Sequence, residues 1–304
     1  MQEASLNPTT YSTYCSKWDK FLVFARNSTN VHVDAPVSSH LVALFVAKLN
    51  LEGARTSTIR GYLSAIAHMH IKRDLPDPTD SPSIKMALQG AQILEPSICD
   101  NELQPINKQL LHRMLDSIPF ITKVTYDQLL LKALFLTTYY ACLRAGEIVE
   151  SDKADHTISI SQIELHDDSY GIRFDSYKHS HSRNTSNERG SIPLYIVNAI
   201  PMSKFCPVKA LKAFLKIRKQ IEGPIFIDRA GSNIKRDYLS KNLKVSLELC
   251  QIPPARYNTH SFRIGRATQL ADEGYSDEII RTTGRWKSNA FKKYIRRSAF
   301  IMPS

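Results

Sequence analysis

Along the first hundred residues, apolar side chains recur every three or four positions. Tyr11, Tyr14, Trp18, Phe21 and Leu22 form one such series. Leu41, Leu44, Phe45 and Leu49 form another, after the capping candidates Ser38 and Ser39. A third starts near Thr56-Ser57-Thr58 and runs through Ile59, Leu63 and Ile66 to about His70. DLPDPTDSP reads as a turn and IKMALQGAQIL as a short fourth helix. The spacing of the aromatic stripe favours a packed core over a base-stacking surface. EPSICDNELQPI, residues 95–106, is polar, holds two prolines and has no period, so it reads as a linker.

Beyond it, NKQLLHRMLDSI and TYDQLLLKALFLTTYYACL predict two helices, the second largely buried. Alternation and β-branching then predict strands in HTISISQIEL, YGIRFDSYK and RGSIPLYIV, the last two flanking the polar hairpin loop HSHSRNTSNE. CPVKALKAFLKIRKQ is helical again, with Pro207 in a favourable first-turn position. YLSKNLKVSLEL, THSFRIGRATQLADEG, SDEIIRTTG and SNAFKKYIRR complete the helices, with Ser276 and Ser288 as helix starts. The expected fold is mainly α with a small antiparallel β-sheet: an all-α N-terminal domain, then a mixed α+β domain.

A length of 304 residues agrees with two domains. No run of about 18 apolar residues exists, so no membrane span and no membrane partner is expected. MQEASLNPTTYSTYCSKW lacks the basic-then-apolar layout of a secretory signal, so secretion is not expected. Five scattered cysteines, at 15, 99, 142, 206 and 250, show no metal-ligand spacing and read as free thiols.

Charge changes the picture. Residues 1–100 hold nine basic and nine acidic side chains, so the whole net charge of +11 lies in 101–304. Seven basic residues and no acidic one fall within 281–297. Such a run is either a solvated helix face or a nucleic-acid footprint.

Four groups carry candidate chemistry. His260 and Arg263, three apart, share a helix face, and a forked guanidinium suits phosphate oxygens; a plain surface pair has the same spacing. Gly265 and Ala267 behind them are small enough for close packing. Arg144, in ACLRAGEI, follows the most apolar helix, where it is either a helix-end cation or a functional one. Lys178 ends the strand YGIRFDSYK, and taken alone is an edge-strand lysine. Tyr294, in FKKYIRR, is a poor nucleophile unless its proton is taken or its anion stabilised. Otherwise Phe291, Tyr294 and Ile295 form the apolar face of an amphipathic helix.

The ordered set resembles the tyrosine recombinase (phage-integrase) family. It runs from Arg in L-R-x-G-E to Lys on a hairpin strand, then H-x-x-R, G-R-W and a Tyr ten residues past the Gly. HSFRIGRAT and GRWKSNAFKKYIR are most similar to recombinases of eukaryotic mobile elements. The resemblance implies a helical core-binding (SAM-like) domain over 1–95, a linker over 96–103 and a catalytic domain over 104–304. It implies Tyr294 as nucleophile, Arg144 and Arg263 as phosphate clamp, His260 as phosphate ligand and proton-transfer aid, and Lys178 as general acid. The family places a His or Trp nine residues before the Tyr; here Arg285 stands there and Trp286 stands eight before. The indole chemistry favours Trp286, the count Arg285. Double-stranded DNA is the implied partner, with a homotetramer on paired sites, and no cofactor or metal is needed. Arg55, Arg60, Lys72, Arg73, Lys287, Lys292 and Lys293 are the further DNA-contact candidates. The implied location is the nucleus in a eukaryote, otherwise the cytoplasm. A DNA-binding protein that no longer cuts and a type IB topoisomerase-like enzyme share most of these features.

Overall fold

The computed structural model describes residues 6, 8–29, 36–95, 103–150, 157–174 and 194–296. The chain divides into two compact units, Met1–Cys99 and Asp100–Ser304.

In the first unit four helices form where periodicity and caps place them: α1 (Pro8–Thr29), α2 (Ser39–Leu51), α3 (Thr56–Ile71) and α4 (Pro82–Leu94). Ser38 and Ser81 start α2 and α4, each hydroxyl accepting from the amide three residues on. The aromatic stripe is core: Trp18, Phe21 and Phe45 are buried, and the Phe21 and Phe45 rings meet edge-on at 5.2 Å. His70 is fully buried at the end of α3. Its Nδ1 donates to the Ile66 carbonyl at 2.8 Å, and its Nε2 accepts from the Val37 amide at 3.2 Å.

The second unit is built on α5 (Lys108–Ile121) and α6 (Thr125–Tyr140). From Leu130 to Tyr140 every residue of α6 except Lys132 is buried, and Phe135 packs on Phe262. After a four-residue helix, α7 (Ala145–Ile148), comes an antiparallel meander of β1 (Ile163–Leu165), β2 (Ser169–Arg173) and β3 (Leu194–Asn198). Ile163 pairs with Ile172 and Tyr170 with Val197. Then follow α8 (Pro207–Ile217), α9 (Arg236–Leu249), α10 (Ser261–Asp272) and α11 (Asp277–Thr283). Pro207 occupies the first turn of α8, and Ser276 caps α11.

Three local expectations change. The strand expected over HTISISQIEL is a strand only at Ile163–Leu165. Before it, Ser159 and Gln162 close a 3-10 turn as a reciprocal capping box, giving the backbone partners other than a strand. The helix expected to run through Leu143 stops at Tyr140. Cys142 takes a left-handed conformation (φ 49), and the Leu143 amide turns back to the Thr138 carbonyl. The helix expected over SNAFKKYIRR is a 3-10 turn, Asn289–Tyr294, started by Ser288. The loop HSHSRNTSNE and most of 96–103 lie outside the described residues.

Candidate active site

The left-handed turn at Cys142 sends the chain into α7 at a corner. Arg144 stands at the N-terminus of that short helix. Glu147 reaches back, one carboxylate oxygen accepting from the Arg144 amide and the other from its guanidinium, both at 2.8 Å. The first oxygen also takes a hydrogen bond from Arg285, at 2.6 Å. One carboxylate, its side chain 6% exposed, thus joins Arg144, three residues before it, to Arg285, 138 residues after it. Burial alone would raise its pKa; Arg285, then Arg144, outweigh burial and hold it below the usual carboxylate value.

Helix α10 enters this corner with His260 at its N-terminus and Arg263 in its first turn. Its approach is close: a β-carbon at Gly265 would collide with the Ile106 carbonyl, so only glycine fits there. Arg263 is fully buried. Its two terminal nitrogens donate to the carbonyls of Cys142 and Gly284, tying the end of α6 to the turn after α11. Burial lowers its pKa, and Arg144 and Arg285 add to that. Trp286 covers the guanidinium, with its ring centre 4.1 Å from the central carbon.

The turn that carries Trp286 depends on Gly284, where any β-carbon would strike the indole ring. Arg285 next takes a left-handed conformation (φ 53), which throws successive side chains to opposite sides. Its guanidinium goes to Glu147, to the Ala141 and Cys142 carbonyls and over the Phe174 ring at 4.2 Å. Trp286 goes to Tyr294, with ring centres 5.0 Å apart. His260 meets the same tyrosine at 4.9 Å, and Arg263 lies 5.8 Å from its ring centre. Phe291 is fully buried, and Tyr294 and Ile295 are half-buried beside it, so the tyrosine is at once part of an apolar face and part of the polar cluster.

His260, Arg263, Trp286 and Tyr294 therefore meet at one place, and Arg144 joins them through Glu147 and Arg285. Lys178 lies outside the described residues. Of the surface candidates, Lys287 and Lys293 are exposed, and Lys292 pairs with Asp277 at 3.1 Å. In the first unit Arg55 and Arg60 are exposed, and Arg60 reaches Gln92 at 3.5 Å. Lys72 donates to the Tyr11 hydroxyl at 2.7 Å, and Arg73 donates to the Met69 carbonyl and lies over Trp18. In the sequence, Glu147 stands out only as part of the L-R-x-G-E context of Arg144. Its place three residues into a helix start is a capping signal, but nothing in the sequence pairs it with Arg285.

No protein-family model and no curated protein matches the chain. Solved structures do. A XerH site-specific recombinase bound to palindromic difH substrate, a post-cleavage complex, superposes with a TM-score of 0.64 at 17% identity, over 95% of this chain and 76% of that one. A fragment of the Tn1549 transposon integrase with circular intermediate DNA gives 0.58 at 14%, over 96% of each chain. A lambda integrase dimer bound to a COC′ core site gives 0.58 at 11%, over 96% of this chain and 72% of that one. At such identities the likeness establishes the fold: this chain is built as the tyrosine recombinases are.

Proposed function

We propose that the protein is a DNA recombinase or integrase that cuts and rejoins duplex DNA through Tyr294. The observation that carries this reading is the meeting of Tyr294, His260 and Trp286 over a buried arginine, inside a fold that solved recombinases share. The phenol passes its proton to His260 as its oxygen attacks a backbone phosphorus; a phosphotyrosyl ester forms to the 3′ side, the bond to the 5′-oxygen breaks, and that oxygen leaves as a hydroxyl after taking a proton. Lys178 is the proposed donor of that proton. A free 5′-hydroxyl then reverses the step on the same or another strand. One phosphoester replaces another, so no nucleotide needs to be hydrolysed.

The electrostatics suit this chemistry. Arg144, Arg263 and Arg285 bring three positive charges against the single carboxylate of Glu147, leaving an excess that a phosphate and its more highly charged transition state would neutralise. Arg263 uses two of its donors on carbonyls and keeps others for phosphate oxygens. Since the tyrosine ring lies near it, phosphate access requires that ring to swing aside. Residues 1–95 act in this reading as the core-binding half and 104–304 as the catalytic half. The working assembly is a homotetramer on paired sites, and the exposed cations above contact phosphates.

A duplex nicked near the cleavage point, cut from the repeats flanking the gene, traps the covalent species. Wild-type protein is expected to give a denaturant-resistant adduct. Tyr294→Phe is expected to bind the same DNA and give none; an adduct with the Phe variant would remove Tyr294 from the mechanism.

A further inference from the structure

The side chain of Thr268, the last residue of HSFRIGRAT, is placed to hold the tyrosine segment. A threonine inside a helix ordinarily turns its hydroxyl back to the carbonyl four residues earlier. Thr268, buried in α10, instead faces another part of the chain. Its hydroxyl donates to the Tyr294 carbonyl at 3.3 Å and accepts from the Arg296 amide at 3.0 Å. One side chain thus grips the backbone on both sides of Ile295.

The segment it grips needs such a hold. Tyr294 is the last residue of a 3-10 turn, and Ile295 is extended, with φ −79 and ψ 120. A 3-10 turn has poorer hydrogen-bond geometry than an α-helix, and its end leaves backbone groups without partners inside the turn. Apolar packing of Phe291 and Ile295 restrains the segment from one side and does not fix its direction. Two hydrogen bonds to one hydroxyl do. Moreover, Thr268 sits five residues after Arg263, on the helix that carries His260 at its start. The element that presents the phosphate-facing groups therefore also sets the backbone from which the phenol swings.

We infer that Thr268 is a positioning residue, a latch that fixes the Tyr294 backbone relative to His260 and Arg263. This inference rests on Tyr294 acting as proposed above, and it makes a structural claim that can be read without the reaction. Misplacement of a reacting group by about 1 Å costs on the order of 10²-fold in rate, so loss of the latch should appear in the cleavage step and leave DNA affinity unchanged.

The test uses full-length protein with Thr268→Val, which removes the hydroxyl and keeps the shape, Thr268→Ser, which keeps the hydroxyl, and Thr268→Ala as a second hydroxyl-free form if the valine variant does not fold. Amide hydrogen exchange over residues 291–296 reads the latch; single-turnover adduct formation on the nicked duplex reads its consequence; a binding titration serves as the control. Thr268→Val is expected to exchange the Arg296 amide at least about 10-fold faster and to form adduct roughly 10- to 100-fold more slowly at unchanged affinity. Thr268→Ser should restore both. Unchanged exchange in the hydroxyl-free variants would overturn the latch. Faster exchange with wild-type adduct formation would overturn its role in positioning. If wild-type protein forms no adduct while exchange follows the hydroxyl, the proposed reaction fails and the latch stands.

Discussion

The two units bury polar groups to different ends. In the first, His70 satisfies nearby backbone: the Val37 amide and the Ile66 carbonyl. Around it the core is aromatic and aliphatic, and Trp18 stacks edge-on against the His70 ring. Its cations stay at or near the surface, leaning on Tyr11 and Trp18. The second unit buries Glu147, Arg218 and Arg263, and nearly buries the Arg285 side chain. Arg218 is an instructive control. It donates to the carbonyls of Glu222, Pro224 and Ile225, all within seven residues, and so staples one loop. Arg263 and Arg285 instead join segments far apart in sequence, Arg263 through the Cys142 and Gly284 carbonyls and Arg285 through the Glu147 carboxylate. Burying such charges is a costly route to stability, since well-packed apolar side chains often do as well. The cluster is the kind of arrangement that the reaction proposed above would require.

The largest expected effect comes from breaking that charge balance. Glu147→Gln leaves Arg144 and Arg285 without their counter-charge, and removing one partner of a buried pair costs about 3–5 kcal/mol. For a unit of this size that is a fall in melting temperature of roughly 10 °C. The acid limb carries a signature. The native pKa of Glu147 lies below its ordinary 4.5, so the unfolded chain binds more protons as pH falls through that range. This contribution is complete above about pH 4.5 and is lost as pH falls toward the native pKa. Melts from pH 7 to pH 3 should show a shallower acid loss in the variant; equal melting temperatures and parallel acid limbs would show that the carboxylate does not organise the corner.

The two buried arginines separate folding from chemistry. Arg263→Lys keeps a charge and loses the fork, and should cut adduct formation by about 10²-fold or more, as for loss of one transition-state donor. Arg218→Lys should lower stability and leave cleavage of the folded fraction near wild type. Equal damage to cleavage from both would make Arg263 another staple.

How far the sequence reaches is visible in the same corner. Periodicity and local caps were enough to place the longer helices of both units, because those signals are local; the short α7 and the 3-10 form of Asn289–Tyr294 were not legible. Cys142 and Arg285 in left-handed conformations were not legible, since both positions favour glycine and neither holds it. Those two turns set where the two candidate side chains go. Counting back from Tyr294 puts Arg285 at the family's His/Trp position, yet the left-handed turn sends Arg285 to Glu147 and Trp286 to the tyrosine. Glu147 itself escaped notice because its second partner lies 138 residues away. The arrangement makes a smaller but sharper prediction. Trp286→Ala should slow adduct formation by up to about 10²-fold at unchanged stability-corrected binding, as for misplacement of a reacting group. Arg285→Ala should first lower the melting temperature. If Arg285→Ala slows cleavage more than Trp286→Ala in protein that is folded, the count was the better guide.

The smallest expected effects concern the surface cations, and they ask whether the first unit grips DNA at all. Each phosphate neutralised contributes about −0.9 to the slope of log affinity against log salt. Lys287 and Lys293 are exposed beside the candidate site, so each Gln substitution should flatten the slope by about that amount. Lys292 shares its charge with Asp277, an exposed pair worth about 0–1 kcal/mol, which phosphate can displace, so its effect should be similar or slightly less. In the first unit, Arg55→Gln should also flatten the slope by about 0.9, since Arg55 is exposed at the start of α3. Lys72→Gln should do less, because its ammonium is held by the Tyr11 hydroxyl and ring and must give up that contact to reach a phosphate. Binding titrations of these five single variants over a salt series, on target and on random duplex, separate the units. If Arg55→Gln and Lys72→Gln leave slope and discrimination at wild-type values while Lys287→Gln does not, the first unit makes no phosphate contact. Its near-neutral charge would then fit a protein-interaction module better than a DNA-gripping one.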